Sequence, residues 1–210
     1  NVGFVANWNT VSSANYYEVD VMRIFSTTED AEYLSLYEDF LLMQEYPSEV
    51  TGYLDGLTYR WDWYLYGGKL ADRSIVFPQT SSKGQTQLQT PMMDFSGEGE
   101  TETVYFSFVA EGAVGDKIGI GYYYTDDEGE DLAFAFQPVT FEEGTMTKTL
   151  YAELPAVDAL GFLIYTDPTM QNTGDVKLKT FLVSREFAAG TEFMEVYDYR
   201  QTAETSASFF

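Results

Sequence analysis

Cysteine and histidine are both absent from the 210 residues. Without cysteine there is no disulfide frame and no thiolate metal site. Without histidine the commonest general base and the commonest transition-metal ligand are gone, so most catalytic templates are excluded together. Positive charge is scarce as well. Eleven Lys and Arg stand against 34 Asp and Glu, a formal net charge of -23, which repels nucleic acid and anionic membrane surfaces. No apolar run approaches the ~20 residues that a spanning helix needs, so membrane insertion is not expected. The sequence starts at Asn1 rather than Met, which leaves an upstream signal or anchor open.

What the chain has in quantity is aromatic residues, with 17 Tyr and 16 Phe, a composition that favours strands and predicts an all-β protein. Its length suffices for a core without covalent staples. Val104, Phe106 and Phe108 alternate with Tyr105, Ser107 and Val109, the period of a strand with two different faces. Upstream, Pro91 cannot donate to a ladder and is expected to mark a strand end or edge. Ile118, Ile120, Tyr122 and Tyr124 share one strand face, with Gly119, Gly121 and Tyr123 on the other. An acidic turn over Thr125 to Asp131 leads into Leu132, Phe134 and Phe136, and strand patterns recur at Thr147 to Ala152, Gly161 to Tyr165 and Val176 to Val183. Such spacing predicts a two-sheet sandwich with Phe106, Phe108, Phe134 and Phe136 in its core.

The two ends read differently. Residues 1 to 25 form two alternating runs separated by Ser12, Ser13, Ala14 and Asn15, expected as two antiparallel strands, and Ser26 to Glu38 reads as an acidic, turn-like connection. Trp8, Val11, Ala14, Tyr17, Val19 and Val21 follow a W-x-x-V-x-x-A-x-x-Y-x-V-x-V pattern that resembles the beginning of a fibronectin type III domain. The rest of such a sandwich does not follow in sequence.

From Asp39 onward the chain resembles the jelly-roll modules of secreted multidomain proteins of the Bacteroidota, related to the cleaved-adhesin and carbohydrate-binding-like group. The resemblance rests on Asp39 and Phe40, Trp61, the run Gly67, Gly68, Lys69 and Leu70, the run Leu88 to Pro91, then Asp94 to Ser96, and a closing strand around Phe181 and Val183. Where a glycine is expected before the tryptophan, this chain has Arg60. The resemblance implies a β-sandwich of jelly-roll, galactose-binding-like character, with partial fibronectin type III-like strands beside it. The expected division is 1–25 for the first type III-like strands, 26–192 for the jelly roll and 193–210 for the return strands of the incomplete outer domain. It implies a secreted or cell-surface setting, outer-membrane anchoring included, with a glycan or a host or surface protein as partner. Open edges on the truncated domain invite an edge-strand dimer.

The densest aromatic cluster runs from Trp61 to Tyr66. Alternation assigns Trp61, Trp63 and Leu65 to the core and Asp62, Tyr64 and Tyr66 to an exposed face. A flat ring beside a carboxylate suits a sugar, whose C–H faces are apolar and whose rim is polar. Tyr123, beside the trough left by Gly119 and Gly121, joins Asp62, Tyr64 and Tyr66 as the candidate ligand-binding set, although the glycines also admit a plain packing role. Modules of this kind sometimes hold a structural Ca2+, but Asp126 and Asp127 match no ligand motif and read as a solvated hairpin tip, so no cofactor or metal ligand is expected. The reading taken is a non-catalytic extracellular binding or adhesion module, with glycan as ligand. Its alternatives are a structural spacer and, behind that, a carboxylate-based glycosidase, for which no acid pair is marked out.

Overall fold

The computed structural model describes residues 4–12, 15, 17–26, 31–43, 45–71, 73–97, 99–126, 128–187 and 192–209. Among these the elements are sixteen strands and one short 3-10 turn. In chain order the strands are β1 (Phe4–Asn7), β2 (Tyr17–Ser26), β3 (Ala31–Glu38), β4 (Tyr46–Tyr53), β5 (Tyr64–Leu70), β6 (Ile75–Phe77), β7 (Thr86–Gln89) and β8 (Thr101–Glu111). They continue as β9 (Lys117–Thr125), β10 (Asp131–Ala135), β11 (Val139–Thr140), β12 (Thr145–Pro155) and β13 (Leu160–Thr166). The 3-10 turn Pro168–Met170 follows, then β14 (Val176–Phe187), β15 (Glu192–Thr202) and β16 (Ser206–Phe209). Among the described residues no helix is long and apolar enough to cross a membrane.

The chain divides into two compact units, Asn1–Ala31 with Phe187–Phe210, and Glu32–Glu186. In the first unit the early strands do not pair with each other, as their short connection led one to expect. Instead β1 pairs antiparallel with β16, Phe4 opposite Phe209, and β2 pairs with β15, Tyr17 opposite Thr202. The Trp8 and Tyr17 rings meet edge-on at 5.7 Å.

In the second unit the hydrogen-bonded order is β10-β9-β13-β7-β5-β6-β14-β8-β12, with β11 beside β9, β4 beside β5 and β3 beside β14. The segment read as an acidic connection therefore contains a strand, β3. Its inward Leu36 is buried, and burial outweighs the acidic composition there. Short β6 pairs with both β5 and β14, so the path curls from one sheet into the other as an antiparallel sandwich of jelly-roll character.

The core is a chain of rings. Phe136 lies 5.3 Å from Phe106, Phe106 5.3 Å from Phe162, Phe162 5.9 Å from Phe181, Phe181 6.4 Å from Trp63, and Trp63 5.7 Å from Phe40. Phe106 and Phe181 come from one sheet and Phe162 from the other, so these contacts span the sandwich. Phe134 departs from the expected core and is 44% exposed. Its ring stacks on Tyr122 at 5.0 Å instead.

Strand β12 ends the path with β8 as its neighbour. Its register sets Met146, Lys148, Leu150 and Ala152 opposite Ala110, Phe108, Phe106 and Val104, so Lys148 belongs to the core-facing series yet remains exposed.

Where β7 ends, Thr90 keeps β13 attached. Its backbone N–H donates to the Phe162 carbonyl at 3.0 Å, and its hydroxyl accepts the Phe162 N–H at 2.8 Å and donates to the Pro91 carbonyl at 2.9 Å. The hydroxyl thus stands in for the ladder partner that Pro91 interrupts. Thr90→Val keeps the shape and leaves the buried Phe162 amide unpaired, so urea unfolding of this variant should show a loss of about 1–3 kcal/mol. An unchanged midpoint would show that the hydroxyl is replaceable.

Candidate functional site

The sheet β4-β5-β7-β13-β9-β10 buries one face and turns the other outward. Leu65, Leu88, Ile164 and Ile120 lie in one rung across four strands, and all four are buried. By the two-residue period the flanking rungs point outward. One of them runs Tyr53, Tyr64, Gln89, Leu163, Gly121 and Ala135. Another runs Thr51, Tyr66, Gln87, Tyr165 and Gly119. Six strands at ~4.8 Å spacing make this face roughly 24 Å wide across the strands.

Tyr64, Tyr66 and Tyr123 all fall on this outward face, as their alternation predicts. Tyr64 packs edge-on to Tyr53 at 5.2 Å, an interaction between adjacent strands that the sequence does not display. Asp62 does not join them. It sits exposed in the turn before β5 with φ 69°, its N–H donating to Asp55 Oδ1 at 3.3 Å. That left-handed residue breaks the alternation, which corrects the placement of Trp61. Trp63 is fully buried, but Trp61, on the far side of the turn, is 50% exposed.

The glycines host rings. A Cβ on Gly119 would collide with the Tyr165 ring and one on Gly161 with the Tyr123 ring, so both tyrosines lie over the sheet. At Gly121 the backbone of Phe134 and Ala135 makes the close approach. The packing role weighed for Gly119 and Gly121 is therefore the one observed. The Tyr123 hydroxyl donates to the Thr90 carbonyl at 3.0 Å. Burial, with a smaller contribution from Tyr53, pushes its pKa up to about 12. Tyr123 thus serves as a fixed ring and has its hydroxyl already engaged.

Beside these rings opens a shallow groove of about 220 Å3, lined by Gln85, Gln87, Gly121, Ala133 to Ala135, Leu163, Tyr165 and Asp167. Apolar floor residues lie next to amide side chains and one ring. Gln85 closes a loop that is pinned from below. Ser81 donates to the Gly67 carbonyl at 3.1 Å, and the Ser82 N–H donates to Glu49 at 3.0 Å. Asp167 caps the 3-10 turn by accepting from the Thr169 N–H at 2.7 Å. Tyr165 and Gln87 were not singled out from sequence. Alternation along Gly161, Leu163 and Tyr165 was the available signal.

At the acidic hairpin, Asp126 Oδ1 accepts the N–H groups of Glu128 and Glu130 at 3.0 and 2.9 Å, and Thr125 donates to Asp131 at 2.8 Å. Those carboxylates shape the turn. Asp127 lies outside the described residues.

A second aromatic cluster surrounds Glu38 and Asp39. The Tyr37 and Tyr59 rings stack at 6.4 Å with an 18° interplanar angle. The Tyr37 hydroxyl donates to Asp39 Oδ2 at 3.3 Å. Beneath them Glu38 is buried, its two carboxylate oxygens accepting the Phe40 N–H at 2.9 Å and the Tyr59 N–H at 2.7 Å. Burial raises its pKa from the ordinary 4.5 to about 7, against the two amides, which favour the charged form.

No protein-family model and no curated protein matches the chain. Solved structures similar to it include the CBM22-1-GH10 modules of a Clostridium thermocellum endo-1,4-β-D-xylanase complexed with xylohexaose. That match has 14% identity, covers 73% of this chain and 28% of that one, and has a TM-score of 0.41. A family 29 carbohydrate binding module matches at 17% identity over 74% of this chain and 89% of its own, with a TM-score of 0.36. The K3 cleaved adhesin domain of Lys-gingipain from Porphyromonas gingivalis matches at 12% identity over 73% and 99%, with a TM-score of 0.43. At such identities and scores, the jelly-roll assignment rests on the chain's own strand order and register.

The Glu38 carboxyl gives a pH dependence with a definite sign. Its folded pKa lies above the unfolded value, so its favourable contribution is complete below about 4.5 and is lost as pH rises through about 7. Glu38→Gln cannot ionise. Its unfolding free energy relative to the parent chain should therefore climb between pH 5 and 7, by at most about 1.4 kcal/mol per pH unit, whatever constant offset the lost acceptor adds. Parallel pH profiles from denaturant titration would show that Glu38 stays ionised throughout.

Proposed function

We propose that the Glu32–Glu186 unit is a non-catalytic extracellular binding module that holds a glycan on its outward β4-β5-β7-β13-β9-β10 face. The observation carrying this reading is the groove in which Leu163, Gly121, Ala133 and Ala135 form an apolar floor beside the Tyr165 ring, with Gln85 and Gln87 at its rim. A sugar ring is matched on both counts, since its C–H face needs apolar or aromatic surface and its hydroxyls need amide partners. Tyr64, Tyr66 and Tyr123 extend the aromatic surface on the same face. A non-catalytic role is supported by the lining itself. Among the described residues Asp167 is the one carboxylate there, whereas glycoside hydrolysis needs two, roughly 5–9.5 Å apart. The flanking segments 1–25 and 193–210 are read, under the same proposal, as the two banks of a fibronectin type III-like domain.

Ring stacking should supply most of the contact, because each sugar hydroxyl exchanges water for a protein partner with little net gain. On a glycan array the intact chain should retain a defined set of glycans. Tyr165→Ala, Tyr64→Ala and Tyr66→Ala should each weaken a contact they make by about 1–3 kcal/mol while the chain remains cooperatively folded. Tyr123→Phe, which keeps the ring, should bind as the parent does. An array on which the intact chain retains nothing overturns the reading, and retention that survives all three alanine changes overturns the choice of face.

A further inference from the structure

The groove has a polar end, and one charged group stands in it. Tyr165 pairs with Gln87 and Thr166 with Thr86, so one further step along both strands brings Asp167 beside Gln85, and both line the groove. Thr166 and Thr86 are buried, which turns the residues on either side of each outward. The backbone at Asp167 is extended, φ -142° and ψ 167°, and carries the alternation of β13 one residue past its end, onto the side of Tyr165. Asp167 Oδ1 is occupied, accepting the Thr169 N–H at 2.7 Å and the Thr169 hydroxyl at 2.5 Å. Those bonds fix the carboxylate and leave Oδ2 without a hydrogen bond among the described residues. Burial first, and the Asp167 charge second, raise the pKa of the Tyr165 hydroxyl, so the ring lies within the field of this carboxylate.

We propose that Asp167 restricts this groove to uncharged glycans, accepting a sugar hydroxyl on Oδ2 and refusing uronate, sialyl and sulfate groups. The inference rests on the glycan reading of the same groove and adds to it the class of glycan. An ionised carboxylate can only accept hydrogen bonds, so whatever lies against Oδ2 must donate. A sugar hydroxyl donates, and the Gln85 amide can serve a neighbouring hydroxyl as donor or acceptor. A sugar carboxylate or sulfate has no proton to offer at neutral pH. It would meet a like charge held in place by the turn, with no Lys or Arg among the lining residues to pair with it. A hydroxyl bonded to a charged acceptor is also held more strongly than one between neutral groups, so Asp167 helps retain the glycans it admits. The remaining lining residues are uncharged, and the choice between the two classes falls to Asp167.

The test prints each neutral oligosaccharide of the glycan array beside its sulfated form and, for hexoses, beside the form oxidised to a carboxylate at C6. EDTA in the buffer keeps divalent cations from bridging two anions. The intact chain should retain neutral members at least about tenfold more strongly than their anionic counterparts. Because a net charge of -23 repels anions over the whole surface, a charge-matched control is needed. Asp158 is exposed in the segment before β13, and the length of that strand sets it roughly 20 Å or more from Asp167. Asp167→Asn still caps the 3-10 turn, and it should narrow the gap between neutral and anionic glycans on the order of tenfold. Asp158→Asn changes the net charge by the same amount and should leave the gap as it is. Asp167→Ser, which also caps, decides if Asp167→Asn fails to fold. Two results overturn the selectivity alone: equal retention of neutral and anionic forms by the intact chain, or a gap that Asp167→Asn and Asp158→Asn shift alike. An array on which the intact chain retains nothing overturns the glycan reading and this inference with it.

Discussion

The ring chain from Phe136 through Phe106, Phe162, Phe181 and Trp63 to Phe40 is the constraint from which the rest follows. With no cysteine to form a disulfide, the sandwich is held by buried apolar surface, and these rings supply its largest pieces. Strands have a period of two, so each ring committed inward also commits its neighbours outward. Burying Phe162 and Ile164 presents Gly161, Leu163 and Tyr165 on the other side of β13. Burying Leu65 does the same for Tyr64 and Tyr66. The candidate binding face is in this sense the reverse side of the core.

Much of this was legible because it is local. The alternation in β8 and β9, the acidic turn between β9 and β10, and the strand end at Pro91 each depend on residues adjacent in sequence, and each appears in the structure. Trp61 was misplaced for an equally local reason, namely that one residue with positive φ, Asp62, resets the period and no composition signal marks it. Other features could not be read because they are assembled from distant strands. The groove joins Gln87 on β7, Gly121 on β9, Ala133 on β10 and Tyr165 on β13, and nothing near Tyr165 in sequence announces that company. The partners of β1 and β2 lie near the other end of the chain, Phe209 opposite Phe4 and Thr202 opposite Tyr17, beyond the reach of any hairpin signal.

Packing and the proposed recognition share the same devices. Tyr165 over Gly119 and Tyr123 over Gly161 are seated by the absence of a Cβ beneath them, which fixes the rings before any ligand arrives. A ring already immobilised loses little side-chain entropy on contact, so more of the stacking energy appears as affinity. The two aromatic surfaces differ in this respect. The groove face is seated on strands, while the stacked Tyr37 and Tyr59 pair lies beside buried Glu38, which accepts the Tyr59 N–H and is poised to change charge near neutral pH. Its rigidity is thus tied to solution conditions in a way that the groove's is not.

Lys148 has a consequence for how copies of this unit meet at the β12 edge. An edge strand eleven residues long offers a row of backbone donors and acceptors that could template a further strand. A strand arriving there would extend the core-facing surface over the Lys148 ammonium, burying an unpaired charge among apolar side chains. The lysine would therefore oppose extension of the sheet through this edge. Such an addition would be disfavoured at this edge, while the β8–β12 ladder within the sandwich stays intact.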